Sequence, residues 1–191
     1  MVRERLRDLK RAAQNWWGQP ASDRSAPSTE GETASASSAM AWVIPKKLAV
    51  GRLPRSSDLL TLQNQGIQTI LSLCRSSEGA LPPETPEQFQ LITCPLPDQR
   101  HPDSLTVKQL GQAVKVVEQE LQFGRPVYVH CFAGLERSPT VCLTYLCQSQ
   151  NAEIWEALQF LKEVYPAACP SSEQLRVAQI YLQSRRNLMQ S

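Results

Sequence analysis

The chain has 191 residues, enough for one domain of about 150 residues and a tail. Its net charge of +2 excludes the broad basic footprint of a nucleic-acid binder. Six cysteines stand singly, with no Cys-x-x-Cys pair and only two histidines, which excludes the usual zinc patterns.

No secretory signal is visible and no apolar run approaches membrane-spanning length, so a reducing, cytoplasmic compartment is expected. Val2 excludes N-myristoylation. A monomer is expected, with no metal or cofactor and no nucleic-acid partner.

Residues 1–20 read as a basic amphipathic segment. Val2, Leu6, Leu9, Ala13 and Trp16 share one helical stripe, and Arg3, Arg5, Arg7, Lys10 and Arg11 surround it. Residues 2–17 can make a weak contact with an anionic membrane surface or a partner. The preferred reading is plainer: a frayed helix or a contact with the body of the protein. Residues 21–40 hold fifteen Ala, Ser, Thr, Gly or Pro in twenty, which predicts a flexible linker.

The folded domain is expected over 41–186. Trp42-Val43-Ile44 and Leu48-Ala49-Val50 predict two short strands around Pro45-Lys46-Lys47. Ser56 or Ser57 is placed to cap a helix bearing Leu59, Leu60 and Leu62, ended by Gly66. Residues 67–74 predict a strand, Pro82, Pro83 and Pro86 a loop, and residues 90–95 another strand. Val107, Leu110, Val114, Val117 and Leu121 predict a helix closed by Gly124, with Asp103 or Ser104 as its cap. Strands alternating with helices point to an α/β fold with a mostly parallel sheet.

The stretch Val127-Tyr128-Val129-His130-Cys131-Phe132-Ala133-Gly134-Leu135-Glu136-Arg137-Ser138-Pro139 carries the chemistry. It opens as an unbroken apolar run, as in a strand buried on both faces. Pro139 suits the first turn of a helix. A five-residue loop closing on a helix start turns backbone N–H groups inward as an anion cradle. Cys131 at its mouth would be favoured as a thiolate by the helix start, His130 and Arg137; such settings lower a Cys pKa from about 8.5 to roughly 3.5–7.5. Arg137 can hold two phosphate oxygens with its planar fork. Gly134 lets the backbone approach a ligand, and Ser138 can hydrogen-bond the sulfur. A buried structural Cys is the plainer alternative, but five fixed positions match by chance only about once in ten thousand chains of this length.

Further along, residues 140–148 continue a buried helix in which Cys142 and Cys147 are packing residues. Asn151 is placed to cap a second helix, stopped by Pro166. Ser171 and Gln174 form a capping box for a third. Arg185 and Arg186 suit its C-terminal dipole.

His-Cys-x5-Arg-Ser resembles the signature loop of cysteine-dependent protein phosphatases, and the Arg137-Ser138-Pro139 ending is most similar to the dual-specificity branch. The order of elements over about 41–186 is also similar to that family, including three C-terminal helices. The resemblance implies a phospho-cysteine intermediate on Cys131, no metal, phosphate binding by residues 132–136 and Arg137, and a proton donor from a separate Asp loop. Asp98 stands in a Pro-flanked loop after a strand, where the family's acid stands. It is favoured over Asp103, which capping would explain; His101 could tune that loop. Cys74 resembles the cysteine that pairs with the catalytic one in some phosphoinositide phosphatases of this superfamily, and a buried apolar Cys is an equal alternative.

Three functions compete. The favoured one is hydrolysis of phosphotyrosine and phosphoserine or phosphothreonine on a protein. The second is hydrolysis of a non-protein phosphate, such as a phosphoinositide, a sugar phosphate or an RNA 5′-end. The third is a phospho-binding module without turnover. The loop positions Phe132, Ala133, Leu135 and Glu136 include no base, which disfavours a polyanionic head-group. No Lys-Asn-x-Tyr segment of the strict tyrosine phosphatases is present.

Overall fold

The structure, a computed structural model, describes residues 4, 6–8, 11, 40–98 and 103–190. The predicted linker over 21–40 lies almost entirely outside them, as does His101. At the N-terminus residues 4, 6–8 and 11 are helical, and Leu6 is buried at the margin of the main core.

Five strands form one sheet: β1 (Met40–Ile44), β2 (Leu48–Arg52), β3 (Thr69–Ser72), β4 (Gln90–Thr93) and β5 (Val127–Cys131), in the order β1-β2-β5-β3-β4. β1 pairs antiparallel with β2, and every other pairing is parallel. Six helices have described bounds: α1 (Ser56–Asn64), α2 (Thr85–Gln88), α3 (Val107–Gln122), α4 (Arg137–Gln150), α5 (Ile154–Val164) and α6 (Ser172–Gln190).

The sheet is covered on both faces, which explains the unbroken apolar runs. Ala41, Val43, Leu48, Val50, Leu71, Val127 and Val129 join the larger core, where α3, α4, α5 and α6 pack. The alternate residues Met40, Trp42, Ala49, Ile70 and Tyr128 meet Leu59, Leu62 and Phe89 on the other face. This period of two sorts β1, β2, β3 and β5 between two cores, while β4 is an exposed edge strand. The central strand, β5, is fully buried, and its C-terminal end delivers Cys131 to the edge of the sheet.

Several predicted boundaries are corrected. The strand expected over 67–74 is confined to Thr69–Ser72, because its ladders with β4 and β5 end at Ser72. Pro86 belongs to the first turn of the short helix α2 rather than to a loop. Arg55, not Ser56 or Ser57, caps α1, and its N–H is taken by Asp58 Oδ2 at 2.8 Å. Thr106, not Asp103 or Ser104, caps α3 through a reciprocal box with Gln109. Asn151 ends α4 in the left-handed region at φ 53°, and Glu153 caps α5 instead. Ser171 and Gln174 form the expected box at α6. Arg185 and Arg186 lie before the last turn of α6 and reach Glu118 on α3 and Glu153 at the cap of α5.

Candidate active site

β5 ends at Cys131 and α4 begins at Arg137, so residues 132–136 reverse the chain over the end of the sheet. Two hydrogen bonds hold this loop. Leu53 N–H donates to the Phe132 carbonyl at 3.1 Å, and Cys169 N–H to the Leu135 carbonyl at 2.6 Å. Gly134 turns at φ 75°. A Cβ there would lie 2.5 Å from the Tyr165 hydroxyl and 2.9 Å from the backbone of Gly51 and Arg52. The space Gly134 leaves is therefore filled by Tyr165 and β2, not kept for a ligand as expected.

Strand alternation separates the two residues at the end of β5. Cys131 faces the α3–α6 side and belongs to its core. His130 faces the other side, where its ring stacks on Tyr128 with centroids 6.0 Å apart. Burial pushes His130 down to about 4, with the Arg137 charge acting in the same direction. His130 is thus neutral at pH 7, and the expectation that it lends positive charge to the thiolate is corrected. Among the described residues, Arg137 is a cation whose charge interacts with Cys131.

Ser138 Oγ lies 3.3 Å from Cys131 Sγ and 3.0 Å from the Gly51 carbonyl. A hydroxyl has one hydrogen to give, and a charged sulfur draws it away from a neutral carbonyl. Ser138 can therefore follow the charge on Cys131.

Arg137 is only 4% exposed and is held from three sides. Its Nη1 donates to Glu78 Oε2 at 2.7 Å, to the Leu96 carbonyl at 3.1 Å and to the Leu73 carbonyl at 3.3 Å. Leu96 N–H in turn donates to the Leu73 carbonyl at 3.1 Å. One guanidinium thus ties the signature loop to the segment after β3 and to the loop bearing Asp98.

Glu78 was not singled out from the sequence. It stands in the turn after β3, where its Oε2 accepts Arg75 N–H at 3.1 Å. A lone Glu in a polar turn carries no local signal. Only the adjacency of β3 to β5 brings it to Arg137.

Asp98, Cys131, Phe132, Ala133, Leu135, Glu136 and Arg137 line one pocket of about 230 Å³. Phe132 and Leu135, 49% and 42% exposed, form an apolar rim. Asp103 does not line this pocket. Thr106 removes the capping explanation that weighed against Asp103, so the choice of Asp98 rests on its place in the pocket. The Glu136 carbonyl accepts the Thr140 N–H at 2.9 Å and its hydroxyl at 2.7 Å, while no side chain caps the start of α4.

Cys74 is buried and free, and burial pushes its thiol up to about 11 against the opposing charge of Arg137. Cys142 and Cys147 are buried in α4 and their thiols are pushed up by desolvation, in keeping with packing roles. Among the described residues no group of three or more His, Cys, Asp or Glu could hold a metal ion. No helix among them is long and apolar enough to cross a membrane.

Comparison with known proteins bears on the same segment. A mouse dual specificity protein phosphatase 2 is 33% identical over 116 residues, covering 61% of this chain and 35% of its own. A phosphatidylglycerophosphate phosphatase, PTPMT2 of Arabidopsis thaliana, is 22% identical over 148 residues, covering 78% and 65%. The chain spans less than two thirds of either relative's length. The solved human tyrosine phosphatase-like serine/threonine/tyrosine-interacting protein superposes with a TM-score of 0.69 at 21% identity, over 77% of this chain and 97% of that one. Residues 49–184 match the family described as dual specificity phosphatase, catalytic domain, and the chain belongs to that family.

Proposed function

We propose that this protein is a metal-independent phosphatase that hydrolyses phosphotyrosine and phosphoserine or phosphothreonine on proteins through a phospho-cysteine. The observation that carries this reading is the convergence of Asp98, Cys131 and Arg137 on one pocket, with Ser138 against the sulfur. Cys131 Sγ attacks phosphorus, and the P–O bond to the substrate breaks. Arg137 and the backbone N–H groups of residues 132–136 hold the equatorial oxygens as charge spreads over them. Asp98 gives its proton to the departing oxygen. As a carboxylate it then takes a proton from water, whose oxygen attacks phosphorus. The S–P bond breaks, inorganic phosphate forms, and Ser138 donates to the returning thiolate.

The protein substrate is favoured by the loop itself. Glu136 adds negative charge at the pocket and no loop residue adds a base, so a polyanionic head-group would be repelled. The second reading, a non-protein phosphate ester, is supported by the likeness to the Arabidopsis phosphatidylglycerophosphate phosphatase. Cys74 adds a redox role to the proposal. A peroxide would convert the Cys131 thiolate to a sulfenic acid, and the Cys74 thiol would displace water from it to form a disulfide.

The test is hydrolysis in EDTA of phosphotyrosyl and phosphothreonyl peptides beside soluble phosphoinositides and phosphatidylglycerophosphate. Both peptide kinds turn over, and Cys131→Ser loses at least about 10⁴-fold in kcat, the scale on which removal of a nucleophile acts. Vanadate binding survives that substitution. Turnover of the lipids alone would replace the protein reading with the second one, and turnover by Cys131→Ser would remove the mechanism.

A further inference from the structure

The pocket at Cys131, about 230 Å³, is smaller than the 300–1,000 Å³ typical of sites for extended ligands. It takes the phosphate and the first atoms of the group that bears it. Phe132, however, also lines a second space of about 600 Å³. Its walls are the end of β2 and the loop after it (Arg52, Leu53, Pro54, Arg55) and the loop after β3 (Ala80, Leu81, Pro82, Pro83). The two spaces therefore share one exposed aromatic wall.

That wall is fixed. The Phe132 carbonyl accepts Leu53 N–H, and a Cβ on Gly79 would lie 2.9 Å from Leu53 Cδ2 and 3.7 Å from the Phe132 ring. Leu53, Gly79 and Phe132 thus meet closely where the two loops join the signature loop. The groove is lined mostly by aliphatic and proline side chains, with two arginines.

The arginines differ. Arg52 is spent internally, with Nη1 2.9 Å from Asp58 Oδ2 and 2.9 Å from the Leu53 carbonyl. Arg55 is exposed, and its guanidinium makes no ion pair among the described residues. An apolar groove with a free cation on its wall, parted from the proposed phosphate site by the shared Phe132, is complementary to a chain offering an apolar side chain and a carboxylate near its phosphate.

We propose that this groove binds the residues flanking the phosphorylated residue of a peptide. An apolar side chain lies against Leu53, Leu81 and Phe132, and an acidic side chain pairs with Arg55. The inference deepens the protein-phosphatase reading and rests on it. The carboxylate lies within about three residues of the phosphate, the reach of an extended strand of about 10 Å. A phospholipid would use the apolar wall, but the anion it offers Arg55 is a second phosphate, which the Glu136 charge at the pocket disfavours.

The experiment compares kcat/KM for phosphopeptides that carry Leu and either Glu or Lys at each position within that reach, with para-nitrophenyl phosphate as an ester too short to enter the groove. Wild type prefers the Glu peptide at one position by about fivefold, the size of an exposed ion pair. Arg55→Glu reverses that preference. Leu81→Asp lowers kcat/KM for the peptides about tenfold more than for the short ester, mainly through KM. Peptides hydrolysed through Cys131 with no dependence on the flanking residue would overturn the groove while leaving the phosphatase reading intact. Hydrolysis of phosphatidylglycerophosphate vesicles but of no peptide would overturn both, and a Leu81→Asp loss confined to those vesicles would give the groove to an acyl chain.

Discussion

Two kinds of helix start stand side by side in this domain. The starts of α3 and α6 are closed by their own side chains: Thr106 with Gln109, and Ser171 with Gln174. The start of α4 has no side-chain cap, although α4 is the most deeply buried helix of the three. Every helix leaves its first N–H groups without an intrahelical partner. Closing them with a hydroxyl and an amide yields stability. Left open beside Cys131 and Arg137, the same groups and the helix dipole would serve a phosphate under the proposed function. A side-chain cap at α4 would compete with that phosphate for the same N–H groups.

The largest effects should therefore come from groups that act on an anion at the open start. Asp98→Ala lowers kcat roughly 10²- to 10⁴-fold on alkyl phosphates, the range of general acid catalysis. It slows para-nitrophenyl phosphate far less, because that phenolate leaves without a proton. A leaving-group series measures this directly. If Asp103→Ala shows the pattern and Asp98→Ala does not, the acid is misassigned and comes from the far end of the same β4–α3 connection.

Acid sensitivity should also separate the two kinds of start. The closed boxes contain no titrating group, whereas the open start rests on β5 and its buried His130. In the folded state His130 is held at about 4, below the usual value of about 6.5 for an unfolded chain. Between those values the unfolded chain binds the extra proton, so stability is intact above pH 6.5 and falls as the pH drops toward 4. The loss attributable to His130 is about 3 kcal/mol. It is read as the difference in denaturant-derived stability between wild type and His130→Gln across that range. Parallel curves for the two proteins would mean that His130 titrates alike in the folded and unfolded chain and that burial does not hold it down.

How much of this was legible in the sequence follows from the range of each interaction. The placement of Cys131, Arg137 and Ser138 together was legible because eight consecutive residues carry a strand end, a turn and a helix start. Both faces of the sheet were legible because burial on two sides leaves an unbroken apolar run at residues 127–129. The Ser171–Gln174 box was legible because its partners are three residues apart. The helix caps at Arg55, Thr106 and Glu153 were missed because several polar residues stand before each helix and only geometry selects among them. Glu78 was missed because its partner, Arg137, is distant along the chain and near only through the β3–β5 pairing. His130 was misjudged because sequence proximity to Cys131 suggested a shared side, and strand alternation puts them on opposite ones.

Glu78 sharpens the comparison at the next level down. Its carboxylate positions Arg137, which serves the open start, and it has no counterpart at the closed ones. Glu78→Gln removes the charge but keeps a hydrogen-bonding side chain, and kcat/KM falls about tenfold, less than the roughly 10²-fold that a 1 Å misplacement can cost. Vanadate affinity falls in parallel if the carboxylate aims the guanidinium. A rise in affinity would mean instead that Glu78 competes with the anion for Arg137.

The smallest effect belongs to a closed start. Thr106→Ala removes the hydroxyl that accepts Gln109 N–H at 3.2 Å, while the reciprocal bond from the backbone N–H of residue 106 to Gln109 Oε1 stays. The cost is about 1 kcal/mol, or roughly 2–4 °C in Tm for a domain of this size. Turnover at a temperature well below Tm should not change if this cap serves stability alone. Thr106 nevertheless ends the segment that returns from the loop carrying Asp98. A fall in kcat on alkyl phosphates, with para-nitrophenyl phosphate spared, would show that the closed start of α3 anchors the acid loop, and that closing a helix can serve the same chemistry as leaving one open.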